Sequence, residues 1–131
     1  MIKKLSDEDI KLNITAIFTL EQIEEIINEI KNSKHILSIF SGRIFDIGLD
    51  ASEIFKSASD FVHKYSKCET LWASCRMAYD LIAAEKSNAD IITMAPDLIR
   101  KTKKFGMSPE KCSLETVKGF FNDAKDANFK I

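Results

Sequence analysis

The sequence predicts an α/β domain in which four parallel βα units are followed by one more helix. Three observations point there. Short β-branched runs alternate with longer runs of helical periodicity, which implies a parallel sheet with right-handed crossovers. Polar side chains near the ends of the short runs fall on one parity, as a barrel interior or another ligand-facing surface would require. The chain has 131 residues, 45% of them hydrophobic, enough for one domain with a core but only half of the roughly 250 residues of a complete (β/α)₈ barrel.

The elements follow in order. Met1 to Leu5 reads as the last turn of a helix, an unusual start that fits a fragment, a split gene product or an engineered half-domain. Leu12 to Phe18 is short and β-branched, so it is a strand. Thr19 with Gln22 forms a capping box. Leu20, Ile23, Ile26, Ile27 and Ile30 then line one helix face, while Glu21, Glu24, Glu25, Glu29 and Lys31 fill the other. His35 to Ser41 is the second strand, and Gly42 to Leu49 a loop with two glycines. Asp50 with Glu53 caps a helix whose stripe is Ile54, Phe55, Ala58, Phe61, Val62 and Tyr65. Glu69 to Ser74 is the third strand, and Ser74 caps a helix burying Ala78, Leu81 and Ile82. Asp90 to Met94 is the fourth strand. Pro96 suits the first turn of a short helix to Lys104. Gly106 and Pro109 mark a loop, and Ser113 opens a last helix with Val117, Phe120, Phe121 and Ala124 facing inward. There is no repeat, low-complexity segment or linker, so residues 1–131 read as a single domain.

Composition excludes several functions. With 19 basic and 20 acidic residues the net charge is −1, which offers no electrostatic case for nucleic acid or membrane partners. Cys68, Cys75 and Cys112 are odd in number and lack CxxC spacing, which argues against disulfides or zinc and for reduced thiols in the cytoplasm. No apolar run approaches the ~18 residues of a membrane span, and MIKKLSDEDI is not a signal peptide. His35 and His63 lack metal-ligand spacing and read as surface residues. Cys75, placed at a helix start beside Arg76, would favour a thiolate, although a packed or idle thiol is the plainer reading.

Strand parity carries the functional signal. Leu12, Ile14, Ala16 and Phe18 oppose Asn13, Thr15 and Ile17. Leu37 and Ile39 oppose Ile36, Ser38 and Phe40. Leu71 and Ala73 oppose Thr70, Trp72 and Ser74. Each strand thus offers an aliphatic side for the helices and a side with polar groups. A doubly wound sheet would be apolar on both. Trp72 reads either as core or as the wall of a sugar site. Asp90, Asp97 and Glu85 read as solvated or capping carboxylates.

Arginine placement narrows the function. The chain has sixteen lysines, scattered over helices and termini, and three arginines. Arg43 and Arg76 sit just past the C-terminal ends of two strands, where α/β folds place ligand contacts. A guanidinium fork matches phosphate oxygens, each charge-assisted bond contributing roughly 1.5–3 kcal/mol. Ser74 and the N–H groups opening the next helix could add anion contacts. The alternative is that each arginine pairs with a nearby carboxylate such as Asp46.

The segments LNITAIFTLEQ (12–22), IFSGRIFDIG (39–48), ETLWASCR (69–76), ADIITMAPDLI (89–99) and SLETVKGFF (113–121) together resemble the transaldolases. They fall in the order of strands five to eight of that family's barrel and its final helix, so the resemblance implies half of a TIM (β/α)₈ barrel. It also implies transfer of a dihydroxyacetone unit between sugar phosphates through a lysine Schiff base, with no cofactor. By resemblance Thr15 lies near the catalytic water, Asn13, Ser38 and Phe40 line the substrate, and Arg43, Ser74 and Arg76 bind phosphate. The family's Schiff-base lysine, acid/base aspartate and supporting glutamate belong to strands four, one and three, which this sequence does not contain. The chain alone is therefore expected to be inactive. Its partners would be sugar phosphates and a missing N-terminal half-barrel or a second copy of itself, with a non-catalytic binding module as the other reading.

Overall fold

Helical crossovers return each strand to the same end of the sheet, so all pairings are parallel. The computed structural model describes residues 1–30 and 33–127; Lys31 of the expected polar face lies outside them. By internal contacts the chain forms two units, Met1–Arg100 and Lys101–Ile131.

The first unit opens with α1 (Ile2–Asp7) and holds β1 (Asn13–Ile17), β2 (Ile36–Ile39), β3 (Glu69–Trp72) and β4 (Ile91–Ile92) in the order β1-β2-β3-β4. Every strand neighbours its successor, and all three pairings are parallel. No strand order reverses, so there is no switch point of the doubly wound kind. This is the arrangement of four consecutive βα units of a TIM barrel.

The caps form as expected. Before α2 (Leu20–Glu29), Thr19 Oγ1 accepts the Gln22 N–H and Gln22 Oε1 accepts the Thr19 N–H. Asp50 Oδ1 accepts the Ser52 N–H at 2.9 Å and opens α4 (Ala51–Tyr65). Of the α4 stripe, Phe55, Ala58 and Val62 are buried, Ile54 and Phe61 pack partly, and Tyr65 is exposed. The core lies between these helices and one side of the sheet. Ile17, Ile23, Leu37, Ile39, Ile44, Phe55 and Trp72 are its largest members. Trp72 is fully buried, its ring 5.0 Å from that of Phe55. It is therefore a core residue and not the wall of a site.

Four expectations on this unit are overturned. Residues 41–46 form a short helix, α3 (Ser41–Asp46), in place of a loop. The next helix, α5, spans Asp80–Lys86 and is not capped by Ser74, which sits six residues earlier at φ 66°. It buries Asp80, Ala83 and Ala84, while Leu81 is exposed. His35 is buried (1% exposed). Its Nδ1 accepts the Leu12 N–H at 3.2 Å, and its Nε2 lies 2.8 Å from Ser33 Oγ and 3.1 Å from Ser6 Oγ.

Strand sides also depart from simple alternation. Ile14 pairs with Leu37 and Ile17 with Ile39, so two β1 residues oppose one of β2, and Ala16 takes φ 60°. This bulge turns Ile17 into the core. In β3 the expected sides are reversed. Trp72 pairs with Ile39 and shares its core side, whereas Leu71 and Ala73 lie on the other. The aromatic payload of Trp72 outweighs the aliphatic pair in choosing the helix side.

After β4, α6 (Pro96–Lys101) begins at the expected proline and buries Leu98. In the second unit a 3₁₀ turn (Thr102–Lys104) precedes α7 (Pro109–Asp126). Ser108, five residues before the expected cap, accepts the Lys111 N–H, and Pro109 stands in the first turn. None of α7 is buried. Val117, Phe120 and Phe121, expected to face inward, are exposed, because its own unit offers no other described element beyond the 3₁₀ turn to cover them.

Candidate functional site

The side of the sheet away from the core carries a hollow of about 370 Å³, lined by Asn13, Thr15, Ser38, Phe40, Leu71, Ala73, Ser74 and Thr93. Five of the expected site residues therefore converge: Asn13 and Thr15 from β1, Ser38 and Phe40 from β2 and its exit, and Ser74 beyond β3. Thr15 and Asn13 stay together because the bulge begins after Ile14 and takes Ala16 out of the ladder. Ser38 Oγ donates to Asn13 Oδ1 at 2.6 Å across the two strands. That bond occupies the Asn13 carbonyl and leaves its amide –NH₂ as donor.

Both arginines follow the C-terminal ends of strands beside the hollow, though neither lines it. Arg43, on α3, holds its guanidinium 5.1 Å from the centre of the Phe40 ring, itself part of the hollow. Such stacking is worth about 0.5–1 kcal/mol at an exposed site. Arg76 lies two residues beyond Ser74. The segments meet at Gly42. A β-carbon there would lie 1.6 Å from the Ser74 carbonyl oxygen and 3.1 Å from Arg76 Cγ. Only glycine permits that approach. The Gly42 N–H also donates to the Ala73 carbonyl at 3.4 Å.

The carboxylate alternative holds for one arginine. Arg76 Nε and Nη2 donate to Asp46 Oδ2 at 3.2 and 2.8 Å. Both side chains are about half exposed, so the pair is worth at most about 1 kcal/mol. Asp46 takes the Nε–Nη2 edge of the fork, and the Nη1 end is directed away from it. Asp46 lies three residues beyond Arg43 on α3, so one short helix positions both guanidinium groups.

Two expected features are corrected. The N–H groups of Arg76 and Met77 do not open a helix. Both donate at 2.8 Å to Asp80 Oδ2, whose Oδ1 accepts the Trp72 Nε1–H at 3.1 Å. Cys75 is likewise not at a helix start. Burial, then the charge of Asp80, pushes its thiol up to about 12, so it is no thiolate nucleophile.

Sequence reasoning missed Asp80, which is 1% exposed. Its signal was a carboxylate falling on the inward stripe of α5. It also missed Thr93, just past β4, and Leu71 and Ala73, whose sides depended on the reversed parity of β3. At the opposite, N-terminal end of the strands, Asp90 accepts bonds from His63 Nε2 (2.8 Å), the Thr70 N–H (2.7 Å) and Thr70 Oγ1 (3.0 Å). Burial raises the Asp90 carboxyl, but the bonds from His63 and Thr70 outweigh it and hold it below its usual range. That cluster ties strand to helix far from the hollow and reads as stability.

A larger hollow, about 440 Å³, lies between the start of α2 and the start of α4. It carries Glu21 and Glu53 and no basic residue, so it does not suit an anion. No group of three or more metal-ligating side chains occurs among the described residues. No helix there is long and apolar enough to cross a membrane.

Four parallel βα units in sequential order, with polar side chains on the side away from the core, define half of a TIM barrel. The family model described as Transaldolase/Fructose-6-phosphate aldolase matches residues 1–131, and the chain belongs to that family. It is 33% identical over 101 residues to a probable transaldolase of Nitrosopumilus maritimus, covering 76% of this chain and 44% of that protein. It is 31% identical over 120 residues to a probable transaldolase of Streptococcus pyogenes serotype M5, covering 91% of this chain and 52% of the relative. The chain thus spans about half the length of these curated relatives.

Proposed function

We propose that this chain supplies the substrate and phosphate end of a transaldolase-like site that passes a dihydroxyacetone unit between sugar phosphates through a lysine Schiff base. The observation that carries the reading is the meeting of the GRI and WASCR segments at Gly42. It supports a reading in which Arg43 and Arg76 act beside Ser74, which lines the hollow. Two guanidinium groups and a hydroxyl suit a phosphate dianion, which would share Arg76 with Asp46 by taking the free end of its fork. Asn13, Ser38 and Phe40 then face the sugar, and Thr15 sits where a catalytic water would be held.

The reaction needs an amine beside the substrate carbonyl. The lysine nitrogen adds to that carbon, water leaves, and the iminium accepts the electron pair of the breaking carbon–carbon bond. No lysine lies on any of the four strands. We assign the amine to a complementary N-terminal half-barrel that pairs with the outer edges of β1 and β4. Each of these strands pairs with only one neighbour in the sheet, and such edges invite a partner. A second copy of the chain is the alternative source of four more strands and would give a non-catalytic binding module. The three free cysteines suit a cytoplasmic setting.

Borohydride trapping with a ketose phosphate, read by mass spectrometry, tests the assignment. No reduced adduct should form on the 131-residue chain alone, and one should form on the complementary half once it is added. An adduct on a lysine of this chain would contradict the proposal.

A further inference from the structure

We infer that Asp80 is a positioning residue for the anion site, fixing the main chain that carries Arg76 while staying out of contact with the ligand. The inference rests on the phosphate reading above and deepens it. Asp80 is fully buried, and its carboxylate receives three N–H groups. Two are consecutive backbone groups, Arg76 and Met77, both on Oδ2. The third, Trp72 Nε1–H, belongs to a core side chain packed between Phe45 and Phe55.

The carboxylate therefore links a fully buried core side chain to the loop that leaves β3. Ser74 in that loop holds φ 66°, a conformation that L-residues adopt only when their surroundings impose it. Asp80 is part of what imposes it, because it turns the N–H groups just beyond Ser74 inward. Those two groups would otherwise point at an incoming anion, as consecutive backbone N–H groups do in anion-binding nests. With Asp80 in place, phosphate is left to the Ser74 hydroxyl and the two guanidinium groups. Asp46 holds the Arg76 side chain and Asp80 holds its backbone, so the arginine is fixed at both ends.

The nearly isosteric Asp80→Asn keeps the volume but sets an –NH₂ against N–H donors. The test titrates inorganic phosphate, at constant ionic strength, into the ¹⁵N-labelled 131-residue chain and into Asp80→Asn, with the fold of each checked by circular dichroism. Wild type should bind, with shifts at Ser74 and the Arg76 side chain and none at the Arg76 and Met77 amide protons. Folded Asp80→Asn should bind about tenfold or more weakly. Wild-type affinity in the folded variant would reduce Asp80 to a structural residue and overturn the inference. Should the variant not fold, the wild-type spectra decide. Amide protons of Arg76 and Met77 that move with phosphate would show the anion displacing Asp80, again overturning it. A wild type that binds no phosphate would remove the site itself, and this inference with it.

Discussion

Two residues beside the hollow, Ala16 at φ 60° and Ser74 at φ 66°, hold backbone conformations that L-amino acids avoid. Each stores strain of order 1 kcal/mol or more, and each serves the hollow. Ala16 makes the bulge that takes Ile17 off the side of Asn13 and Thr15 and into the core, and Ser74 turns the chain so that its side chain joins the lining. Neither was legible, because alternation is a rule about regular strands and a single αL residue suspends it. His35 shows the same limit. Its ring is neutral, since Nδ1 accepts the Leu12 N–H. Burial lowers its pKa from the ordinary 6.5. As pH falls, the unfolded chain therefore takes up this proton first. The stability the neutral ring supplies is complete above pH 6.5 and is lost progressively below it. Urea unfolding at pH 7.5 and 5.5 should give a lower stability at 5.5. His35→Asn, whose Oδ1 stands at the position of the ring Nδ1 and can still accept the Leu12 N–H, should show a smaller loss. Equal pH dependence in both would contradict the account.

At the scale of elements, caps and apolar stripes were readable because they depend on neighbours three or four residues away. The capping box at Thr19, the Asp50 cap and the buried Phe55, Ala58 and Val62 all follow from local chemistry. The reversed sides of β3 do not, since the choice between Trp72 and the Leu71–Ala73 pair is made by what α4 presents. The GRI and WASCR segments were legible as separate motifs. That they touch could not be read, as the contact spans more than thirty residues and runs through backbone at Gly42. Gly42→Ala places a methyl group against the Ser74 carbonyl, which should cost about 1–3 kcal/mol of stability and push the β3 exit loop off the rim. Gly48→Ala, strained at φ 80° but with nothing within 4 Å, should lose stability and keep phosphate binding. Melting curves with phosphate titrations distinguish them. Undiminished phosphate binding by Gly42→Ala would deny that this contact builds the rim.

At the scale of the molecule, four parallel strands in sequential order bring their C-terminal ends to one end of the sheet, so residues far apart in sequence line one hollow. The fold class was legible because alternating strands and helices leave few topologies. The expected face of α7 was not found buried, since an amphipathic stripe records that a helix has a partner without naming it. The central claim is that Arg43, Ser74 and Arg76 form one anion site. Ligand that binds only the folded state raises the melting temperature. Inorganic phosphate, added at constant ionic strength, should therefore stabilise the wild-type chain and Arg100→Ala alike, and stabilise Arg43→Ala and Arg76→Ala far less. Equal stabilisation of all four proteins would contradict the site.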